Sequence, residues 1–170
     1  GTYLETGDAL PDDVIETIKL SDAVLLGAMG LPDVRYPDGT EIIPQIDLRM
    51  ILGLYAGVRP IKLLPGAFTP LKDDRARELD FVIVRESTEG LFARMHEGKI
   101  EDDRIAEDRL IITRKTSERL FDYSFKLARH RKSLGYLGKV TCVDKANVFK
   151  SMAFFRNIFE ERAKAFPDIL

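Results

Sequence analysis

Cysteine is nearly missing from this chain: the only one is Cys142, so no intrachain disulfide can form and a reducing, cytoplasmic setting is expected. Long apolar runs are also missing, and none approaches the length needed to span a bilayer. There is little charge imbalance, with a net charge of −2, so nothing draws the chain as a whole to nucleic acid or an anionic membrane. The opening residues Gly1-Thr2-Tyr3-Leu4-Glu5 contain neither a basic region nor an apolar core, and no secretory leader is expected. Internal repeats and low-complexity tracts are absent as well. What is present is a 170-residue chain with 45% hydrophobic and 32% charged residues, enough apolar material for a core of its own.

Apolar periodicity predicts helices over Pro11–Leu20, Asp47–Tyr55, Thr116–Lys132 and Val148–Ala165. In the third, Leu120, Tyr123, Ser124, Leu127 and Ala128 read as the inner stripe, and Gly57 reads as the stop of the second. Short apolar runs predict strands at Ala23–Gly27, Val58–Leu64, Leu79–Val84, Leu110–Thr113 and Lys139–Val143. Pro60 suits the second of these only at a sheet edge. The charged stretch Arg94–Asp108 is expected to project into solvent. Strands alternate with helices, so the expected fold is α/β, a mixed sheet flanked by helices, with room for a division near Pro70–Ala76 although the composition barely shifts there.

Polar clusters interrupt this pattern at Arg49, at Arg59-Pro60, at Arg85 with Glu86 and Thr88, and at Asp144-Lys145-Ala146-Asn147. Ligands gather outside the carboxyl ends of strands in α/β sheets. Converging arginines there would clamp a polycarboxylate, each guanidinium holding one carboxylate with two hydrogen bonds. A neighbouring lysine could serve as proton acceptor. The bland alternatives stay open at this point. A single strand-end arginine is commonly a surface ion pair, Asp144-Lys145 can be a turn capped at Asn147, and Gly27-Ala28-Met29-Gly30 can be a plain turn. His96 and His130 read as solvated, and Cys142 as an inert core thiol.

At these same positions the sequence resembles the β-decarboxylating dehydrogenases, the family of isopropylmalate, isocitrate and tartrate dehydrogenases. The matching segments are Leu25–Gly30, Leu48-Arg49 with Val58-Arg59-Pro60, Ile83–Gly90 and Val143–Val148. The resemblance implies an isopropylmalate dehydrogenase-like α/β fold, incomplete here at both ends. Residues 1–75 would belong to the larger cofactor-side domain and 76–170 to the smaller dimer-forming domain. It implies that Arg49, Arg59 and Arg85 bind the carboxylates of a 2-hydroxy-3-carboxy acid. Lys145 would take the hydroxyl proton, acting across a homodimer interface that the charged arm helps to form. Gly27, Gly30, Thr88 and Asn147 would lie along NAD, with NADP open. Mg²⁺ or Mn²⁺ would assist, held by aspartates lying beyond Leu170, as does the adenosine-binding loop, so the chain alone is expected to be inactive. Phe92 stands where the family carries a tyrosine that protonates the enol. Gln45 lies in the segment that reads the substrate's third substituent. The implied substrate is 3-isopropylmalate, with tartrate, malate or isocitrate as alternatives. A non-catalytic polycarboxylate-binding paralogue is a further alternative, favoured by Phe92.

Overall fold

The computed structural model describes residues 1–170. The chain forms two compact units, Gly1–Leu54 and Tyr55–Leu170. The first holds α1 (Thr2–Thr6), α2 (Asp12–Lys19) and α3 (Pro44–Ile51). Pro44 supplies the first turn of α3, where its missing N–H costs nothing. The helix ends in a paired closure, with Gly53 N–H donating to Met50 O and Leu54 N–H to Arg49 O. Gly53, at φ +59°, takes the left-handed position this closure needs. The stop signal is therefore Gly53 rather than Gly57, and α3 begins three residues earlier than periodicity placed it because Pro44 starts it.

In the second unit β1 (Ala56–Lys62) pairs antiparallel with β2 (Asp80–Glu86) along its whole length. Two short 3₁₀ helices flank β2, at Asp74–Glu78 and Phe92–Glu97. Pro60 is accommodated because β1 is an edge with no neighbour on its other side. The compact units separate at 54/55, and residues 75/76 lie in the 3₁₀ helix between β1 and β2. β3 (Lys99–Glu101) and β4 (Ile105–Glu107) form an exposed hairpin within the charged stretch. Asp102 and Asp103 turn it at positive φ, a conformation aspartate tolerates better than most residues.

α4 (Arg114–Ser133) and α5 (Lys150–Ala163) supply the core. Thr113 caps α4, accepting the Thr116 N–H, and His130, Arg131 and Lys132 suit its negative end. Phe121, Phe125, Ile158 and Phe166 form the buried cluster, with Phe155 and Phe159 packed on it. Phe125 stacks on Phe166 at 5.0 Å and on Phe159 at 5.2 Å. Leu120 and Ala128 of the expected inner stripe of α4 are buried, Tyr123, Ser124 and Leu127 are half-buried, and Phe121 and Phe125 join the buried face. The two rings bury large apolar surfaces, which draws the helix's inner face towards them. α5 matches expectation, and Arg162 on it holds Asp122 of α4 through two hydrogen bonds of 2.7 and 2.9 Å.

Three expected strands form no ladder. Residues 23–27 are exposed and irregular, and Leu110–Thr113 contributes only a bridge between Ile111 and Gly90. Residues 139–143 are extended, with Val140 donating to Leu170 O beside them. The reason is geometric, since a strand requires a neighbour to receive its N–H and C=O groups. Consecutive residues Asp80–Glu86 and Tyr136–Val143 line a cleft of about 1230 Å³, together with side chains of α4 and α5. Side chains alternate along a strand. A lining made of every residue in turn is therefore a backbone edge, and of the expected mixed sheet the chain forms the antiparallel pair β1–β2, with one open edge of β2. No helix is long and apolar enough to cross a membrane.

Candidate active site

Arg59 sits on β1 opposite Ile83, and Arg85 sits on β2 opposite Gly57. Residues paired across an antiparallel ladder share a face, so the two arginines project from the same side at diagonal positions. Both are exposed, and neither reaches a carboxylate within ion-pair distance. The bland reading of these two as surface ion pairs is therefore not met. By contrast Arg114, Arg129, Arg131, Arg156 and Arg162 are all tied to acidic partners.

Gly57 allows this stretch of the sheet to form. A Cβ there would lie 2.9 Å from Ser87 Oγ and 3.3 Å from Arg85 O. Ser87 is buried, and its hydroxyl donates to Arg85 O. After Arg85 the chain turns through Glu86, whose carboxylate accepts from the Thr88 N–H at 2.7 Å, the Thr88 hydroxyl at 2.6 Å and the Glu89 N–H at 2.8 Å. Glu89 in turn accepts from Thr113 N–H and Oγ1. Thr88 is thereby fixed with its proton engaged, which leaves its oxygen available only as an acceptor. Phe92 opens the 3₁₀ helix beyond, half-buried, and lines the same cleft as Arg85.

Lys145 and Asn147 lie together on an exposed turn just before α5, and Lys145 does not line that cleft. The turn is tightly made, since Val148 N–H and Phe149 N–H both donate to Lys145 O, at 3.0 and 3.1 Å. The expected cap at Asn147 is not formed, because α5 starts later, with Phe149 at its N-cap position. Asp144 shapes the turn instead. Its carboxylate accepts from Ala146 N–H at 2.7 Å and from Arg156 at 2.8 and 2.9 Å. Arg156 was not singled out from the sequence, and a contact between residues 144 and 156 leaves no local signal. Burial foremost, then Asp144, pushes the Cys142 thiol up to about 12, which agrees with an inert thiol. His96 and His130 are exposed, as read.

In the first unit Gln45 and Arg49 stand one helical turn apart on α3, on one face. Both are half-buried, and Gln45 Oε1 is buried without a hydrogen-bond partner. Gly27 and Gly30 lie in an exposed irregular segment. Gly30 is at φ +102°, and a Cβ on Gly27 would meet nothing within 4 Å. No group of three or more His, Cys, Asp or Glu side chains is assembled to hold a metal ion.

Comparison with known proteins points to one family for the whole chain. The chain is similar to the 3-isopropylmalate/3-methylmalate dehydrogenase of Methanocaldococcus jannaschii, 43% identical over 168 residues, covering 98% of this chain and 46% of that protein. It is 39% identical over 165 residues to the 3-isopropylmalate dehydrogenase of Staphylococcus haemolyticus, covering 96% of this chain and 46% of that one. The chain thus spans about half the length of the curated relatives it matches. Among solved structures, isocitrate dehydrogenase from Methylococcus capsulatus superposes with a TM-score of 0.71 at 32% identity, over 99% of this chain and 47% of that one. A second solved structure, a protein from Thermus thermophilus, superposes with a TM-score of 0.80 at 30% identity, over 99% of this chain and 32% of that one. The isocitrate/isopropylmalate dehydrogenase family matches residues 1–170 from end to end, and the chain belongs to that family.

Proposed function

We propose that this chain carries the substrate-gripping arginines and the proton acceptor of a cytoplasmic, NAD-dependent β-decarboxylating dehydrogenase acting on 3-isopropylmalate. The observation that carries the reading is the placement of Arg59 and Arg85 on one face, side by side and free of internal carboxylates. Two guanidinium groups so placed suit a dianionic acid better than a single charge. Arg49, on α3, is the third arginine of the proposed set.

Lys145 takes the C2 hydroxyl proton, through a water, as that carbon is oxidised to the ketone. The β-keto acid then loses CO₂, and the resulting enol must gain a proton at carbon. NAD supplies the hydride acceptor when bound, and NADP is open to the same role. The residues proposed to lie along it are Gly27, Gly30, Thr88 and Asn147. Taken one by one they suit that role, since a Cβ at Gly27 would meet nothing within 4 Å, Asn147 is exposed and Thr88 offers an acceptor oxygen. The family resemblance brings a need for Mg²⁺ or Mn²⁺ with it, but this chain's own residues assemble no donor set for the ion. A homodimer through the β3–β4 hairpin completes the proposal. That hairpin leaves Ile100 and Ile105 more than half exposed, apolar surface that a partner's arm would cover.

A second substrate reading rests on Gln45. Its buried, unpartnered Oε1 would accept a hydrogen bond from a hydroxyl on the third substituent, which favours a tartrate- or malate-type acid. The deciding experiment uses a protein of the relatives' full length, with NAD, Mg²⁺ and a panel of 2-hydroxy acids. Turnover of 3-isopropylmalate, lost by about 10²–10⁴-fold in Lys145→Ala, supports the reading. Preference for a hydroxylated acid, shifted towards 3-isopropylmalate by Gln45→Leu, supports the second. Binding of these acids without any oxidation would instead make the protein a polycarboxylate-binding paralogue.

A further inference from the structure

Asp144 has no exposed side-chain surface although Val143, Lys145 and Asn147 around it are all exposed. Every lone-pair direction of this carboxylate is engaged. Oδ1 accepts from Ala146 N–H at 2.7 Å and from Arg156 Nη2 at 2.8 Å. Oδ2 accepts from Arg156 Nε at 2.9 Å and from the Cys142 thiol at 3.3 Å. Burial alone would raise its pKa, but the Ala146 N–H, Arg156 and Cys142 outweigh that and hold it below the usual carboxylate range.

Arg156 stands on α5 between Phe155 and the core residue Ile158, so its backbone belongs to the rigid part of the unit. Apart from Arg75, which grips Asp73 two residues away, the other two-pronged arginine pairs join helix to helix, as Arg162 does with Asp122, or helix to the chain's last residues, as Arg129 does with Asp168. Arg156 alone ties the core to the turn that carries Lys145. The residues flanking Lys145 are fixed through Asp144 and Ala146, and its own carbonyl is fixed by Val148 and Phe149. A long lysine on an exposed loop samples many positions. Fixing its backbone sets the point from which the side chain reaches, and misplacing a reacting group by about 1 Å can cost about 10²-fold in rate.

We infer that Asp144 and Arg156 are a positioning pair, which locks the Lys145–Phe149 turn to α5 and so sets where Lys145 and Asn147 are presented. The inference rests on the reading of Lys145 as proton acceptor. Neither residue needs to touch substrate, and their effect runs through the turn.

The test uses the full-length protein and the variants Asp144→Asn, Arg156→Gln, Arg156→Lys, Lys145→Ala and, as a control, Asp122→Asn. The last breaks a comparable two-pronged pair that holds only α4 to α5. Steady-state kinetics and amide hydrogen exchange across residues 145–149 are measured on each. Asp144→Asn and Arg156→Gln should lower kcat about 10- to 100-fold with KM within about threefold, and speed exchange at Ala146, Val148 and Phe149. Arg156→Lys keeps the charge without the fork and should fall between. It also serves if the harsher changes prevent folding. Asp122→Asn should lower thermal stability and leave kcat unchanged. Retained protection of the turn in Asp144→Asn overturns the lock. A loosened turn with unchanged kcat overturns its catalytic purpose, as does an equal kcat loss in Asp122→Asn. If Lys145→Ala keeps normal turnover, the proton-acceptor reading falls and the pair is only structural, a result that the exchange data separate from failure of the lock itself.

Discussion

Arg59 and Arg85 occupy diagonal positions on one face of the β1–β2 pair, Arg59 opposite Ile83 and Arg85 opposite Gly57. Diagonal neighbours across such a ladder lie roughly 7–8 Å apart, within reach for two long side chains to meet at a single ligand. Two like charges held side by side without a counter-charge repel each other, and a dicarboxylate relieves that repulsion on binding. Arg85→Ala in the full-length protein should therefore weaken substrate binding by about 30- to 150-fold, the loss of a charge-assisted contact of about 2–3 kcal/mol. Thermal stability should hardly change, since the side chain is exposed and unpaired. KM and calorimetric titration with the substrate dianion measure the first, and a melting curve the second. A KM within threefold of the parent would make Arg85 a surface residue after all.

The parts of the fold that could be read from sequence are those whose signal is local. Thr116 to Lys132 announced a helix by its apolar spacing, and α4 contains it. Val58–Leu64 announced β1, and Pro60 placed it correctly at an edge. The parts that could not be read depend on partners distant in sequence. Residues 139–143 have the composition of a buried strand, yet their hydrogen-bonding edge has no strand beside it. The same division holds at the proposed site. Arg59, Arg85 and Lys145 were legible as charges breaking an apolar pattern, whereas Arg156 and Ser87 acquire their roles only through contacts with Asp144 and Gly57. Gly57 itself was legible as a glycine with a reason, but the reason is packing and not helix termination.

Gly57→Ala tests that packing. The added methyl would sit 2.9 Å from Ser87 Oγ and 3.3 Å from Arg85 O, one of which must move. Overpacking of this kind costs about 1–3 kcal/mol. Ser87→Ala in the same chain removes the closer atom and should recover part of the loss, leaving the backbone clash with Arg85 O. Urea unfolding of the three variants measures this. If Gly57→Ala is as stable as the parent, strand β1 has more room than the structure gives it.

Cys142 should be slow to react at neutral and mildly alkaline pH. The thiolate is the nucleophile, and burial, followed by Asp144, pushes this thiol up to about 12. At pH 8 about one molecule in ten thousand would be ionised, against about a quarter for an ordinary thiol with a pKa near 8.5. Because the folded value is raised, the stabilising preference for the neutral thiol is complete below the unfolded value and is lost as pH climbs towards about 12. Iodoacetamide labelling should thus be at least about a hundredfold slower in the folded chain than in urea, with the gap closing as pH rises. Equal labelling rates in the two states at pH 8 would show that the thiol is neither shielded nor shifted.

Phe92 is the clearest difference between this chain and the family pattern it resembles. It is half-buried, opens the 3₁₀ helix after β2 and lines the same cleft as Arg85. A tyrosine there can donate its phenolic proton to the enol carbon after CO₂ leaves, whereas a phenyl ring has no proton to give. The two rings fill nearly the same volume, so the cleft need not rearrange when one replaces the other. Oxidation of the hydroxyl should survive with Phe92, while protonation after decarboxylation depends on water. Phe92→Tyr in the full-length protein should accordingly raise steady-state turnover with little change in KM. The range usual for general acids, about 10²–10⁴-fold, is an upper bound, because water already supplies part of the effect. A solvent isotope effect on kcat that shrinks in Phe92→Tyr would locate the gain in the proton-transfer step. If the parent already turns over rapidly and Phe92→Tyr changes nothing, another group gives the proton and the ring is only a wall of the cleft.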